Sequence, residues 1–332
     1  MTGATQPRPP VPRIRRAVVT GSAGFIGSHL AQALLSDGTT VIGLDRRDHT
    51  SDQSAAANLA PLVGRPGFIP VTADLLTCAI EPVLLDADVV FHLAGIPGVR
   101  PSWGPQFGAY VQCNILAAQR VMDAATRLGI HRVVVASSSS VYGPIGNRPS
   151  VETDHPHPAS PYAVTKLAEE QLCLAHAARP DCPTRVVALR YFTVFGPRQR
   201  ADMFIHRALY SALTDTPLRV YGDGQQRRDF TYVDDAVTAT LAAASAPKDT
   251  GVVNVGGGTN TSLNDVIRLA ERLTGHAIRI EHFTTRSGDV PITHADGERA
   301  RTQLGWQPTV DLHTGMATQL QHLARRAAQP AA

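Results

Sequence analysis

The segment Gly21-Ser-Ala-Gly24-Phe-Ile-Gly27 limits what this chain can fold into more than any other stretch. A short apolar run, Arg16 to Thr20, leads into it, and Ser28-His-Leu-Ala-Gln-Ala-Leu-Leu35 follows with the composition of a helix. In a strand–turn–helix setting, three glycines so spaced permit a tight turn. They also bring backbone N–H groups close to a pyrophosphate at the helix N-terminus and let helix pack closely on strand. The next apolar run ends in Asp45, where a carboxylate can take the hydroxyls of an adenosine ribose. The pattern predicts a dinucleotide site. Asp45 would repel a 2′-phosphate and so argues for NAD, while Arg46 and Arg47 beside it leave NADP open.

From Ala17 onward, short apolar runs alternate with longer Ala/Leu stretches of helical period, the signature of repeated βαβ units and a parallel sheet. The runs are 16–20, 40–45, 67–71, 88–93, 132–136 and 184–190, with one more at 252–256. The expected fold class is α/β, a Rossmann-type doubly wound parallel sheet with a smaller, interleaved C-terminal lobe. Functional groups should stand just past the strands' C-terminal ends. After Arg190 the chain turns to loops rich in Gly, Pro, Arg and Asp, such as Phe195-Gly-Pro-Arg-Gln-Arg-Ala-Asp202. The division expected is a tail over 1–14 and a dinucleotide-binding domain over 15–190, to which segments near 227–256 return. A substrate lobe over 191–226 and 257–325 and a tail over 326–332 complete it. A helix over 263–274, introduced by a Ser262 cap, belongs to the lobe.

Composition narrows the partners. A chain of 332 residues with 43% hydrophobic and 18% charged residues is no disordered polymer, and its net charge of +3 is spread over both halves. No basic stripe marks a nucleic-acid or membrane surface. Cys78, Cys113, Cys173 and Cys182 stand too far apart for a disulfide framework or a zinc ribbon, so free thiols and no metal are expected. The Pro- and Arg-rich first sixteen residues contain no apolar leader segment, which reads as a frayed tail on a cytoplasmic protein.

In Ser160-Pro161-Tyr162-Ala163-Val164-Thr165-Lys166, Ser is a good N-cap and Pro a good first helical residue, which puts Tyr162 in the first turn. Lys166 follows one turn later on the same face, where an ammonium favours the phenolate and makes the tyrosine a usable acid/base. The fifth strand runs into Ala136-Ser-Ser-Ser-Ser-Val-Tyr-Gly143, which sets hydroxyls at a strand end facing the dinucleotide.

Taken together, the Gly-x-x-Gly-x-x-Gly spacing, Tyr162-x-x-x-Lys166 and the serine segment resemble the extended short-chain dehydrogenase/reductases, in their sugar-nucleotide epimerase/dehydratase branch. The resemblance runs from about Arg16 to Gly305. It implies cofactor contacts from Gly21, Gly24, Phe25, Ile26 and Gly27, from Asp45, from Asp74 and Leu75 at the adenine, from Leu93, Ala94 and Gly95, and from Tyr162 and Lys166. It makes Tyr162, Lys166 and Ser138 the catalytic set. Hexose dehydratases of the branch carry Asp-Glu at the next two positions and the uronate decarboxylases carry a Glu there. This chain has Ser139 and Ser140, and such hydroxyls cannot serve as that acid or base. The resemblance therefore implies 4-epimerisation without elimination.

Arg228, and Arg286 with Asp289, resemble the branch's diphosphate- and ribose-binding positions. Thr193 stands where galactose epimerases have Asn and UDP-glucuronate 4-epimerases have Thr. Pro97-Gly-Val-Arg100 and Gly196-Pro-Arg-Gln-Arg-Ala-Asp-Met203 resemble the latter too. The implied substrate contacts are Arg100, Ser138, Ser139, Tyr162, Thr193, Arg228, Arg286 and Asp289. The implied reaction is UDP-glucuronate to UDP-galacturonate through a 4-keto sugar, with NAD tightly bound and regenerated each turnover. UDP-glucose or UDP-N-acetylhexosamine 4-epimerisation, NDP-sugar dehydration and a catalytically silent NAD-sensing protein are the alternatives. A homodimer is implied through helices near 112–128 and 162–178. There Ala117, Ala118, Ala124, Ala125, Ala168, Ala175 and Ala177 would let helices approach, though they would equally suit packing on the protein's own sheet. The motifs suggest antibiotic or glycan biosynthesis.

Overall fold

The computed structural model describes residues 14–247, 250–284 and 288–328. Seven parallel strands form the central sheet: β1 (Arg16–Thr20), β2 (Thr40–Asp45), β3 (Phe68–Thr72), β4 (Val89–His92), β5 (Arg132–Ser138), β6 (Arg185–Tyr191) and, after a long excursion, β11 (Gly251–Val255). Their order is β3-β2-β1-β4-β5-β6-β11. The excursion holds β7 (Thr193–Phe195), β8 (Leu218–Tyr221), β9 (Arg227–Arg228) and β10 (Phe230–Tyr232), with β12 (Thr261–Ser262) and β13 (Ile280–Phe283) following β11. These make three two-stranded sheets: β7 with β10, β8 with β13, and β9 with β12.

The helices are α1 (Phe25–Ser36), α2 (Gln53–Leu59), α3 (Glu81–Leu84), α4 (Phe107–Tyr110), α5 (Ala117–Arg127), α6 (Pro161–Ala177), α7 (Phe204–Thr214), α8 (Val233–Ala244), α9 (Leu263–Thr274) and α10 (Leu312–Ala328). A π-helical turn, Val111–Leu116, joins α4 to α5.

Because successive strand residues point to opposite faces, the apolar runs feed two cores at once. Ala17, Val19, Val89 and Phe91 pack with Leu30 and Leu34 of α1 and Ala236 and Ala239 of α8. Val18, Val90, Val133 and Val135 pack on the other face with Val121 and Met122 of α5 and Cys173 of α6. Each fully buried Val or Leu contributes roughly 1.5–3 kcal/mol. The helix starts follow their caps: Ser160 Oγ accepts the Ala163 N–H at 3.2 Å, and Ser262 forms a reciprocal capping box with Asp265. The fold class is the expected one. At the β1/β4 boundary the strand order reverses, and the crevice past those strand ends is where such sheets hold ligands.

Two expectations change. α10 continues through Ala328, so 326–328 are helix and not tail; Ala and Arg are strong helix formers, and Arg325 and Arg326 suit the negative end of the helix. Residues 1–13 and 329–332 lie outside the described residues. Ala117, Ala118, Ala124 and Ala125 are buried against the chain's own sheet, which settles their role as core packing.

Candidate active site

The glycine turn between β1 and α1 is built by close approach. Gly21 has φ +72°, and a Cβ there would lie 2.8 Å from the Ala94 nitrogen, while a Cβ on Gly27 would lie 2.2 Å from the Gly21 carbonyl oxygen. Only glycine lets β1, the β4 end and α1 meet this closely, and the meeting leaves the α1 N-terminus open toward the crevice. At the end of β2, Asp45 accepts the Ala23 N–H at 3.0 Å and the Arg47 N–H at 2.9 Å, which ties the carboxylate to the glycine turn. Arg47 Nε also leans on it at 3.4 Å.

These residues open onto a cavity of about 1560 Å³. Gly21, Gly24, Phe25, Ile26, Gly27, Asp45, Asp74, Leu75, Leu93, Ala94 and Gly95 line one part of it. Ser138, Ser139, Tyr162, Lys166, Thr193, Arg228 and Asp289 line the rest. An anion-ready helix end, a ribose-height carboxylate and a cradle that any Cβ would fill suit a dinucleotide, so the residues present fit NAD.

Tyr162 and Lys166 occupy the first two turns of α6. Lys166 is buried at 6% exposure, and its Nζ lies 4.0 Å from where a Cβ on Gly95 would stand, which sets the ammonium beside the β4 turn. Burial works against that ammonium, yet the Glu169 carboxylate, with which it forms an ion pair, and then Tyr162 hold it above its ordinary value. Ser138 closes β5, and its Oγ accepts both the Ser140 N–H at 3.2 Å and the Ser140 hydroxyl at 2.9 Å. The serine run is thus a hydrogen-bonded turn with Ser138 and Ser139 facing the cavity. Thr193 begins β7; its backbone N–H donates to the Asp229 carbonyl at 3.0 Å, leaving its side chain for the cavity wall.

At the lobe's end, burial pulls the Arg228 guanidinium below its ordinary value against the field of Asp289, as expected of a cation shaped to meet an anion. Arg100 is placed differently from expectation. It does not line the cavity: its guanidinium lies 4.1 Å over the Tyr221 ring and pairs with Asp289 at 2.9 Å. Arg286 lies outside the described residues.

Several groups carry no motif and were missed. Asn114, buried in the π-helical turn, accepts the Ile96 N–H at 2.7 Å and donates to the Thr165 hydroxyl at 3.0 Å, pinning the cavity floor to α6. Glu170 takes Arg190 at 2.6 and 2.9 Å and the Ser137 hydroxyl at 2.6 Å, all buried, which locks α6, β5 and β6 together behind Ser138. Glu169 and His92 lie buried behind Lys166. A carboxylate beside a known helical motif is a weak sequence signal, and the partner of Glu170 lies twenty residues on.

The fold and the cavity define a class: a Rossmann-type dinucleotide-binding protein whose cofactor cradle, Tyr-Lys pair and second lobe share one cavity. Within that class this chain belongs to the NAD dependent epimerase/dehydratase family, which matches residues 17–256. A Bacillus subtilis (strain 168) relative, "Uncharacterized UDP-glucose epimerase YtcB", is 40% identical over 313 residues, spanning 93% of this chain and 98% of its own. The UDP-glucuronic acid 4-epimerase from Bacillus cereus, solved with UDP-glucuronic acid and NAD, has a TM-score of 0.89 at 38% identity, over 94% of this chain and 99% of its own. MoeE5, solved with UDP-glucuronic acid and NAD, has a TM-score of 0.86 at 44% identity, over 94% and 99%.

Proposed function

We propose that this chain catalyses NAD-dependent 4-epimerisation of a UDP-sugar, converting UDP-glucuronate to UDP-galacturonate. The observation that carries the reading is one cavity that joins the glycine cradle, Tyr162 with Lys166, and Thr193, while Ser139 and Ser140 stand where an eliminating enzyme needs carboxylates. The names of the relatives support it.

The glycine turn and α1 hold the NAD pyrophosphate, Asp45 the adenosine ribose, Asp74 and Leu75 the adenine, and Leu93 to Gly95 the far side of the cofactor. Bound NAD supplies the two-electron oxidant at C4 and, once reduced, the reductant. Tyr162 takes the C4 hydroxyl proton, through Ser138 where the hydroxyl does not reach it, and Lys166 stabilises the phenolate beforehand. Arg228 and Arg286 grip the diphosphate and Asp289 the ribose, so the 4-keto ring turns about a fixed anchor and presents its other face. Tyr162 then returns the proton to the C4 oxygen as the ketone is reduced, giving the alcohol of opposite configuration.

The 4-keto uronate is a β-keto acid, which loses CO₂ when its carboxylate C–C bond aligns with the carbonyl π system. Thr193, with Ser138 or Ser139 as a further donor, donates to the carboxylate and holds it out of that alignment. Arg100 acts at a distance, through Asp289.

A second reading, UDP-glucose 4-epimerisation, is favoured by the name of the Bacillus subtilis relative and by MoeE5 having been solved with UDP-glucose. The purified protein is incubated with UDP-glucuronate and separately with UDP-glucose, each followed by anion exchange and sugar-ring NMR, with Tyr162→Phe as control. UDP-galacturonate without pentose is the expected product. Idle UDP-glucuronate beside brisk UDP-glucose turnover would establish the second reading.

Two copies pair in our reading, since the exposed Trp103, Phe107 and Val164 side chains line one shallow apolar cavity at α4 and α6. Light scattering on the eluting protein tests this. We place the activity in the cytoplasm and in antibiotic or glycan biosynthesis. No helix among the described residues is long and apolar enough to cross a membrane.

A further inference from the structure

We propose that Glu169 is a positioning residue that sets the pH range of catalysis, its buried carboxylate competing with the Tyr162 phenolate for the single ammonium of Lys166. This deepens the reaction proposed above and rests on it.

Lys166 sits between two acids on α6. Tyr162, one turn earlier, faces the cavity; Glu169, nearly one turn later, is fully buried on the interior side and ion-paired with Nζ. The other charged group beside it on the helix, Glu170, is committed to Arg190, and Cys173 adds only a buried thiol held neutral by burial and by Glu169.

The facing group from the sheet is His92 of β4. Its Nε2 stands 3.9 Å from Glu169 Oε1, and neither atom has a hydrogen-bond partner among the described residues. His92 Nδ1 meets the Thr20 hydroxyl of β1 at 2.8 Å, and that same oxygen accepts the Ala94 N–H at 3.2 Å. In the tautomer in which the Thr20 hydroxyl donates to Nδ1, the imidazole carries its proton on Nε2, the edge that faces Glu169. Burial, with the Lys166 ammonium adding to it, pushes His92 down to about 3, so it faces the carboxylate as a neutral dipole and not as a second cation.

Among the described residues Lys166 is therefore the one cation paired with Glu169. Burial pushes the Glu169 carboxyl up to about 7 against the pull of that ammonium.

When Glu169 is ionised, the ammonium is shared and the phenolate is harder to form. When it is neutral, the phenolate has the ammonium to itself. Removing the carboxylate charge favours the phenolate and at the same time weakens the hold on the Lys166 proton. Both limbs of the bell-shaped rate profile then move to lower pH. One unit charge roughly 8–10 Å from the phenol at an effective dielectric of about 20 moves the acid limb by about one pH unit, and the alkaline limb, set by the ammonium that the carboxylate touches, moves further.

The experiment compares the kcat/KM profiles from pH 5.5 to 9.5 of NAD-loaded wild type, Glu169→Gln and Glu169→Asp. Turnover of UDP-glucuronate by the wild type tests the reaction itself; the position of the profile, taken on whichever UDP-sugar turns over, tests Glu169. The expected result is a Gln profile whose acid limb lies about one unit below wild type and whose alkaline limb falls by more, with an Asp profile close to wild type. A Gln profile that overlies wild type and differs only in height overturns the proposal. Glu169→Met, uncharged and of similar length, replaces Gln should that variant not fold. If neither uncharged variant folds, Glu169 serves the fold and not the rate profile, and the proposal falls.

Discussion

Replacing Glu170 by Gln should destabilise the protein by about 4 kcal/mol. The carboxylate is fully buried and accepts Arg190 Nε at 2.9 Å, Arg190 Nη2 at 2.6 Å and the Ser137 hydroxyl at 2.6 Å. An amide of the same shape keeps one acceptor and presents two N–H groups, so at least one donor must face another donor. The Arg190 guanidinium, at 2% exposure, then loses its one directly hydrogen-bonded carboxylate among the described residues and keeps Tyr142, whose ring face is 4.6 Å away, and the more distant field of Asp154. Removing one partner of a buried pair costs about 3–5 kcal/mol, most of it the stranded charge. At roughly 2 °C per kcal/mol for a chain of this size, the thermal midpoint should fall by about 8 °C.

Thermal and urea unfolding of the two proteins measure the loss, and the Glu170→Leu/Arg190→Met pair should recover more than half of it, because the stranded charge is then gone too. A Gln variant within about 1 kcal/mol of wild type would refute the argument that this pair clamps α6 to β5 and β6.

Gly27→Ala should abolish stable NAD retention, since its Cβ would sit 2.2 Å from a backbone oxygen that cannot move without opening the cradle; unchanged cofactor content after gel filtration would refute this. Thr193→Asn should cut turnover of UDP-glucuronate about tenfold more than that of UDP-glucose, the worth of one hydrogen bond to a carboxylate, and equal losses would remove Thr193 from carboxylate recognition. His29 and His92 are both pushed down to about 3 by burial. An unfolded chain takes up protons there that the native one refuses, so these two stabilise fully above their ordinary 6.5 and lose that contribution as pH falls toward 3. Glu169 and Asp229, pushed up to about 7 and 6, act with opposite sign as pH rises from about 4 to 7. The thermal midpoint should therefore be nearly flat from about pH 4.5 to 6 and drop steeply below; a midpoint that keeps rising as pH falls below 4.5 would refute the balance.

The strands were legible because a parallel sheet covered on both faces writes itself as unbroken apolar runs: Arg16–Thr20 and Thr40–Asp45 fall where the sequence put them. Helix α9 was legible from its Ser262 cap, a local signal; the structure adds the Asp265 half of the capping box and the left-handed stop at Gly275. What escaped was non-local. Asn114 matters because a π-helical turn aims its amide at Ile96, and nothing in Val111-Gln-Cys-Asn-Ile-Leu116 announces that turn. Arg100 looked like a cavity residue from its neighbours in sequence, but an aromatic face and Asp289, 189 residues away, hold it elsewhere. The α5 alanines could not be assigned from sequence, because small residues serve a helix–sheet contact and a helix–helix contact equally well.

β11 joins the far edge of the central sheet only after the chain has left it at Tyr191 and built β7 to β10 and α8. The sheet is therefore unfinished until residue 255 has been made. A ribosome releasing residues in order exposes β6 as a bare, apolar edge through some sixty residues of synthesis, a template for pairing with the wrong chain. The same stitch forbids a simple cut. A fragment ending at Arg190 would carry every cofactor residue named above and still keep that open edge, so the two lobes have to be inherited, expressed and engineered as one piece.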